Sequence, residues 1–367
     1  MPPDNHASDL GSPAADTTVS AADASTNAAL AHAAIHAETL TLDTHVDIPW
    51  PDTPDPRGTT QRNVDFARMK AGGLKAVVFI AYTPQGPRTP EDHAEAGARA
   101  EAMLRAIRDT AHGEGRRIVT RVAELEAAHA AGATAVLLAV ENGNAMGHDI
   151  SRLALWRGLG AIYLTLTHDG HNDLADAARP RHGRPEPATL HGGLSPLGRR
   201  AVEEMNRLGM LVDVSHASRA SMMQAVECSR APIVATHACC AALRAHPRNL
   251  DDGQLDALRD SGGLIQITAV PAFLREPGPD GRFRAGVEDI ANHVDHAVKR
   301  IGLAHVGLSS DFDGGGGVTG WMHAGETGGL TEALHRRGYD RDAIGALWAG
   351  NFLRVWRRAE EVAAEGF

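Results

Sequence analysis

Eight short apolar segments, separated by helical patterns, constrain the fold of this chain most strongly. They are rich in Val, Ile, Leu and Thr in near-continuous runs, which is typical of parallel strands covered on both faces. They occupy residues 42–45, 74–82, 134–141, 161–168, 211–216, 232–237, 263–268 and 305–311. A chain of 367 residues that is 43% hydrophobic has enough apolar surface to bury a core of this size.

The stretches between the segments carry helix signals. Thr89, followed by a proline and two acidic residues, predicts the start of a helix that ends near Ala111. Ser195 precedes another proline and predicts a helix that ends near Gly209. Eight strands alternating with helices favour an α/β fold, the (β/α)8 or TIM barrel.

An open doubly wound sheet is the alternative architecture. It would require a phosphate or dinucleotide fingerprint, which the sequence lacks. The glycine run 314–317 follows two aspartates that would repel a phosphate, and it is interpreted as a flexible turn after the last strand. The barrel is therefore the prediction.

The ends of the chain and its composition bound the remaining organisation. Residues 1–38 are predicted to be a partly disordered tail that ends in a leading helix over 28–39, and residues 39–367 form the barrel. The proline-rich stretch 49–56 is predicted to be a loop. The net charge of −10 argues against nucleic-acid or anionic-membrane partners. Three cysteines, without a signal peptide or a long apolar stretch, favour a cytoplasmic protein.

Six of the eight segments end in a residue that can bind a metal or move a proton. Four of these ends are histidines, although histidine makes up only 20 of the 367 residues. In a barrel of parallel strands all the carboxyl ends meet at one rim, where the catalytic groups of this architecture lie. The residues at these ends are His45 with Asp47, Glu141, His168, His216, His237 and Asp311.

Five of these residues are predicted metal ligands. His45 and Asp47 are two residues apart in an extended segment, so both side chains project to one side. Glu141 ends a strongly apolar run, where a carboxylate must be paired, hydrogen-bonded or metal-bound. With His216 and His237 the set is too large for one catalytic zinc and fits two metal ions that share Glu141. The mixture of imidazole and carboxylate suits Zn best, with Mn, Co and Fe as alternatives.

Two further residues are assigned by position. Asp311 is either another metal ligand or a proton carrier, and the second role is more economical because five ligands are already assigned. Arg248 lies on the loop that follows His237, where its guanidinium could bind a substrate carboxylate bidentately. A surface arginine in a proline-containing turn is the alternative for Arg248, and buried structural histidines are the alternative for His216 and His237.

These residues lie in segments that resemble the membrane dipeptidase (renal dipeptidase) family of binuclear zinc peptidases, peptidase family M19, in its bacterial branch. The similarity covers residues 40–358, and its segments match in order and spacing. They are 43–50 (DTHVDIPW), 163–168 (YLTLTH), 209–216 (GMLVDVSH), 236–237 (TH), 246–249 (HPRN), 306–314 (VGLSSDFDG) and 351–354 (NFLR).

The resemblance implies a metal-dependent hydrolase barrel with defined roles for the rim residues. It divides the ligands into His45, Asp47 and Glu141 for one ion, and Glu141, His216 and His237 for the other. It places the carbonyl-polarising histidine of the family at His168, the carboxylate-binding arginine at Arg248 and the proton-transferring aspartate at Asp311.

The sequence departs from the family pattern at three places in the predicted rim loops. Asn142 follows the shared glutamate where the family usually has glycine. Cys239 and Cys240 occupy positions commonly held by small serines, and Val270 stands where an aromatic residue often precedes proline. These departures leave the side-chain preference for the substrate open.

We therefore expect a binuclear metallodipeptidase with two divalent ions, most consistent with Zn. It would hydrolyse short peptides, including dipeptides with a D-residue at the C-terminal position, by attack of a metal-bridging hydroxide. An amidohydrolase acting on N-acyl amino acids or lactones and a non-catalytic binding protein on the same barrel are the alternatives. The expected partner is a small dipeptide, with no nucleic acid or membrane, and a homodimer is left open. Some relatives carry a C-terminal membrane-anchor signal, and none is recognised after Arg358.

Overall fold

The computed structural model describes residues 21–48, 55–113, 115–179 and 185–366, with side chains from Leu30 onward. Most of the predicted polar tail and most of the predicted proline-rich loop, residues 1–20 and 49–54, lie outside this description. Within these four ranges, no helix combines the length and the apolar composition that a bilayer crossing requires.

One sheet of nine parallel strands runs through the described part of the chain. Eight of the strands form from the apolar segments, whose side chains are almost all buried. The strands are β1 (Leu42–Asp47), β2 (Ala76–Tyr82), β3 (Arg116–Ile118), β4 (Thr134–Glu141), β5 (Ala161–Thr165), β6 (Leu211–Asp213), β7 (Val234–Ala238), β8 (Leu264–Ile267) and β9 (Val306–Leu308).

Eight of these strands form a nearly closed barrel, which confirms the predicted fold class. Neighbours pair in the order β1-β2-β4-β5-β6-β7-β8-β9. The ring closes where Val46 pairs with Phe312, next to backbone hydrogen bonds from Asp47 N to Phe312 O (3.0 Å) and from Asp311 N to His45 O (3.1 Å). β3 pairs with β4 outside the ring, and its Arg-Arg-Ile sequence lacks the apolar run that predicted the other strands.

Helices follow the strands and cover the outside of the barrel. They are α1 (Ala21–Glu38), α2 (Phe66–Gly72), α3 (Pro90–Thr110), α4 (Val122–Ala130), α5 (Ser151–Leu159), α6 (Pro196–Leu208), α7 (Arg219–Cys228), α8 (Asp252–Asp260), α9 (Pro271–Leu274), α10 (Val287–Ile301), α11 (Thr327–Arg336), α12 (Arg341–Gly345) and α13 (Asn351–Glu365). Single helical turns of other types occur at Gly143–Ala145, Leu303–His305, Ala324–Glu326 and Ala346–Gly350.

The two helix starts predicted from capping signals are confirmed. The Thr89 hydroxyl accepts a hydrogen bond from Asp92 N (3.3 Å) at the start of α3, and the Ser195 hydroxyl accepts one from Gly198 N (3.0 Å) at the start of α6. α6 ends at Gly209, whose φ of 67° is a left-handed conformation that glycine adopts without strain.

The leading helix α1 is longer than predicted and begins at Ala21 rather than at residue 28. Its last turn is held against the barrel by the buried His36, which hydrogen-bonds Thr331 Oγ1 on α11 (2.7 Å) and Gly72 O on α2 (2.8 Å). The end of this helix therefore packs with the barrel helices.

The period of two along the strands decides which side chains face the site. Alternate residues of β2 and β4 belong to two separate core clusters. Val77, Phe79, Val136 and Leu138 pack in the cluster that contains the apolar face of α3, whereas Ala76, Val78, Ala135 and Leu137 pack in the cluster that contains α13. Glu141 continues the second set and so points away from the covering helix α3, toward the barrel mouth.

Candidate metal centre

Glu141 lies at the centre of the five predicted metal ligands. Its Oε2 is 3.6 Å from His45 Nε2, and its Oε1 is 3.4 Å from His216 Nε2 and 3.5 Å from His237 Nε2. Asp47 Oδ1 lies 3.9 Å from His45 Nε2. Two sets therefore share Glu141, and within each set the candidate ligand atoms lie within 4.8 Å of one another: His45 with Asp47 and Glu141, and Glu141 with His216 and His237.

Local backbone irregularities place these side chains at the mouth. The pairing of β1 with β2 shifts register between Asp43 and Val46, so His45 sits at an irregular point of the strand. His216 lies three residues beyond the end of β6 and has a φ of 65°, which turns the chain away from the strand path. His168 likewise follows the end of β5, so these two histidines lie in loops and not at the last strand positions.

The three histidines of the two sets each have an acceptor at Nδ1. His45 Nδ1 lies 2.9 Å from the Tyr163 hydroxyl, which itself donates to Thr44 O (2.8 Å). Because the Tyr163 proton is used in this way, its oxygen must accept from His45 Nδ1–H. In the neutral imidazole, the form that binds a metal, the lone pair of His45 is therefore on Nε2, the atom that faces Glu141.

The other two imidazoles follow the same rule. His237 Nδ1 lies 3.0 Å from Thr236 Oγ1, whose proton goes to the Asp213 carboxylate (2.7 Å). His216 Nδ1 lies 3.3 Å from Asp169 Oδ1. In its neutral form each histidine thus presents an Nε2 lone pair beside the same buried carboxylate, an arrangement that suits a cation.

The charges around Glu141 also favour a cation. Burial alone would lower the pKa of His45, but the carboxylates of Glu141 and Asp47 outweigh it and raise that pKa to about 10. Burial, and then the charge of Glu141, raise the pKa of Asp47. His45 Nε2 and Asp47 Oδ1 are buried without a hydrogen-bond partner. Buried nitrogen and oxygen atoms without a hydrogen-bond partner are costly, and a bound metal ion would satisfy both of these atoms.

The remaining predicted site residues line the same cavity, which has a volume of about 280 Å³. His168 faces His216, with their ring centroids 4.1 Å apart. Burial lowers the pKa of His168, so its imidazole is neutral near pH 7 and offers one N–H to a ligand. Arg248 and Asp311 lie in the wall of this cavity with Glu141. The structure therefore brings together all eight residues predicted for the site.

Arg248 is a buried cation with an incomplete set of partners. Its Nη2 donates to His237 O (3.2 Å), its guanidinium lies 5.3 Å from the centre of the Phe273 ring, and its Nε has no hydrogen-bond partner. A buried guanidinium with an unused donor is costly alone and favours an anionic ligand.

Asp311 is held by an unusual backbone turn. Its φ is 59°, and its carbonyl accepts from three successive amides, Gly314 N (3.2 Å), Gly315 N (3.1 Å) and Gly316 N (2.7 Å). A Cβ on Gly314 would lie 2.2 Å from Asp47 Oδ2 and 2.5 Å from Asp311 Oδ1. The turn is where the sequence predicted one, but glycine is required there because two carboxylates approach the backbone. Burial raises the pKa of Asp311 to about 7.

The family model for the membrane dipeptidases, peptidase family M19, matches residues 30–366. The chain belongs to the membrane dipeptidase family. Dipeptidase tcpJ of Claviceps purpurea is 34% identical over 317 residues, which cover 82% of this chain and 70% of that protein. The predicted activity class, a metal-dependent hydrolase acting on dipeptides, is thereby confirmed.

Solved structures of a probable dipeptidase and of a metallopeptidase have the same fold. The probable dipeptidase PvdM from Pseudomonas aeruginosa superposes with a TM-score of 0.83 at 28% identity, covering 92% of this chain and 100% of that one. A metallopeptidase from Rhodobacter sphaeroides, liganded with a phosphinate mimic of the dipeptide L-Ala-D-Ala, has a TM-score of 0.76 at 27% identity, covering 88% of this chain and 99% of that one.

Three further residues of this membrane dipeptidase family member hold the candidate ligands in place, although no role was assigned to them from the sequence. Asp213 accepts from the Thr165 hydroxyl (2.6 Å) and from two backbone amides, and so links β5, β6 and β7. The Tyr163 hydroxyl accepts a hydrogen bond from His45 Nδ1, and the Asp169 carboxylate accepts one from His216 Nδ1. The sequence could have indicated a structural role for Asp213. A carboxylate inside the apolar segment 211–214 must have hydrogen-bond or ionic partners, as Glu141 must.

The three departures from the family pattern occupy different environments. Asn142 is buried with a φ of 80°, a conformation that glycine would adopt more easily, and its side chain bonds Thr83 O (3.1 Å) and Asn172 Nδ2 (3.1 Å). Val270 lines the catalytic cavity, whereas the buried Cys239 and Cys240 are not among its lining residues. Of these four residues, Val270 alone belongs to the lining of this cavity.

Proposed function

We propose that this membrane dipeptidase family member hydrolyses dipeptides with two divalent metal ions, for which Zn is the best fit. One ion would be held by His45, Asp47 and Glu141, and the other by Glu141, His216 and His237. The observation that carries the proposal is that three imidazoles, each with Nδ1 occupied, direct Nε2 at one buried carboxylate. Nitrogen and oxygen donors in this mixture suit Zn.

When bound, the ions supply positive charge at the scissile carbonyl and activate a water molecule for attack. The protein supplies the remaining functions. Asp311 takes a proton from the attacking water and delivers it to the leaving amine. His168, neutral and facing the cavity, donates a hydrogen bond to the carbonyl oxygen as negative charge develops there.

Arg248 limits the substrate to short peptides. Arg248 lines the cavity, where its guanidinium would pair with the C-terminal carboxylate of a dipeptide. The cavity of about 280 Å³ is small for a ligand site, since pockets for drug-sized molecules are about 300–1,000 Å³. The bound L-Ala-D-Ala mimic in the Rhodobacter sphaeroides relative supports acceptance of a D-residue at the C-terminal position.

A panel of dipeptides tests the proposal. The fully metallated protein should hydrolyse free dipeptides, including L-Ala-D-Ala, and should lose activity with a chelator and regain it with Zn²⁺. N-acetylated amino acids serve as the control, because an amidohydrolase acting on N-acyl compounds would accept them. A metallated, folded protein that cleaves no member of the dipeptide panel would refute the proposal.

We also propose the organisation of the remainder of the protein. Residues 39–367 form the catalytic barrel, and residues 1–38 form a partly disordered tail with a leading helix. The protein belongs to the bacterial branch of the family, and it works in the cytoplasm without a membrane or nucleic-acid partner. Free thiols at Cys228, Cys239 and Cys240 support a reducing compartment. Cell fractionation tests the location, and light scattering decides whether the barrel forms a homodimer.

A further inference from the structure

A second group of side chains that could coordinate a metal ion lies on the barrel rim, outside the catalytic cavity. It consists of His93 in the first turn of α3, His148 between β4 and α5, and Asp173 between β5 and α6. Asp173 Oδ2 is 3.0 Å from His93 Nε2 and 3.4 Å from His148 Nε2, and the two imidazole centroids are 5.7 Å apart. None of the three lines the catalytic cavity.

The geometry of this group is poor for hydrogen bonding and good for a shared cation. His93 is 8% exposed, and its Nε2 and Asp173 Oδ2 are both buried without a hydrogen-bond partner despite their short separation. In a tetrahedral zinc site with bonds of about 2.0–2.1 Å, neighbouring ligand atoms are about 3.3–3.4 Å apart. The 3.4 Å separation of His148 from Asp173 matches this value, and the 3.0 Å separation of His93 from Asp173 is shorter by about 0.3 Å.

We propose that His93, His148 and Asp173 bind one further divalent transition-metal ion of the Zn²⁺ class. Two imidazoles and one carboxylate are a common zinc set, and imidazole nitrogens disfavour Ca²⁺ and Mg²⁺. His148, whose side chain is 75% exposed, gives the ion a path from solvent and leaves room for water as a fourth ligand.

This ion would join the start of α3 to the loops that follow β4 and β5, the second of which carries His168. Asp92, next to His93, accepts from Asn144 Nδ2 (3.0 Å). Asn172, next to Asp173, donates to the side chain of Asn142 (3.1 Å), which directly follows Glu141. A cation joining these loops would stabilise the rim without touching the substrate.

The test is a comparison of zinc content between variants. Full-length wild type, His148→Ala and Asp173→Asn are stripped with chelator, incubated with a small excess of Zn²⁺, desalted and analysed by mass spectrometry for metal. His112→Ala is the matched control, because His112 is an exposed histidine (82%) near the other end of α3, paired only weakly with Asp109 (3.7 Å). Because the measured quantity is a difference, it does not depend on how many ions the catalytic site holds.

We expect wild type and His112→Ala to retain one more equivalent of zinc than His148→Ala and Asp173→Asn. Zinc should also raise the melting temperature of wild type more than that of His148→Ala, while dipeptide hydrolysis by His148→Ala shows that the catalytic ions are in place. Equal zinc content in wild type and His148→Ala, or an extra equivalent seen only at millimolar zinc, would overturn the proposal and leave an ion pair between His93 and Asp173.

Discussion

The hydroxyl of Tyr163 holds His45, a proposed metal ligand, from the barrel interior, and its removal gives a sharp test of the site. Tyr163 is fully buried, and burial raises its pKa, so the hydroxyl keeps its proton. It accepts from His45 Nδ1 (2.9 Å) and donates to Thr44 O (2.8 Å). Tyr163→Phe removes one oxygen and leaves two buried polar groups without their partner.

The magnitude follows from those two groups. A buried donor or acceptor left unsatisfied costs about 1–3 kcal/mol. Thr236 Oγ1 lies 3.4 Å from His45 Nδ1 and can replace part of the lost bond, so we expect about 2–4 kcal/mol in total. With an unfolding entropy of about 2 cal/mol/K per residue, a loss of 3 kcal/mol in 367 residues lowers the melting temperature by about 4 °C. Metal affinity should fall by about tenfold, the lower end for loss of an outer hydrogen-bond partner.

The assay pairs calorimetry of the metal-free protein with chelator competition for Zn²⁺. Tyr339→Phe is the control, because the Tyr339 hydroxyl donates to the half-exposed Asp295 (2.8 Å) and neither residue lines the cavity of the site. That change should cost less than about 1 kcal/mol and leave metal affinity unchanged. Equal zinc affinity in Tyr163→Phe and wild type would refute the inference that Tyr163 fixes the His45 tautomer.

Three other substitutions test the remaining parts of the site. Gly314→Ala places a Cβ 2.2 Å from Asp47 Oδ2, so we expect zinc binding to weaken and kcat/KM for dipeptides to fall by about 100-fold. Arg248→Lys removes bidentate pairing and should raise KM by about 10–100-fold with a smaller effect on kcat. Asp311→Asn should lower kcat by about 10²–10⁴-fold while binding of a phosphinate dipeptide mimic changes little.

Two of these three predictions have a matched control variant. Gly345→Ala controls for the added methyl group, because its Cβ would meet nothing within 4 Å. Arg275→Lys changes an exposed arginine (57%) outside the cavity lining and should leave KM unchanged. Normal zinc binding in Gly314→Ala, unchanged KM in Arg248→Lys, or full turnover in Asp311→Asn would contradict the role assigned to that residue.

The barrel could be predicted from the sequence because apolar runs report burial on both strand faces directly. The prediction missed β3, since three residues that include two arginines and pair at the outside of the ring carry no such run. The start of α1 was also wrong, because an alanine-rich stretch of low amphipathicity has no clear boundary. The ends of the strands were predicted less accurately than the strands themselves. His168 and His216 were predicted as strand ends, but each lies three residues beyond its strand.

The site was predictable as a set of residues but not as a geometry. The convergence of strand ends indicated which side chains would meet. The left-handed backbone of His216 and Asp311 could not be read from sequence, since such conformations in non-glycine residues depend on contacts made elsewhere in the fold. The hydrogen-bond partner of each histidine Nδ1 could not be predicted for the same reason, since Tyr163 and His45 are 118 positions apart in the sequence.

The closure of the ring has a consequence for how the protein opens and closes locally. β2 and β4 pair along seven consecutive residues, whereas the first and last barrel strands meet at the Val46–Phe312 bridge and its two flanking hydrogen bonds. The amides of Asp47 and Asp311 donate those two hydrogen bonds. Local opening of the barrel at this point would therefore move Asp47, a proposed metal ligand, away from Asp311, the proposed proton carrier. Amide hydrogen exchange at Asp47 and Asp311 should therefore slow when metal binds. Closure of the barrel and assembly of the proposed metal site would then occur together, as one cooperative step.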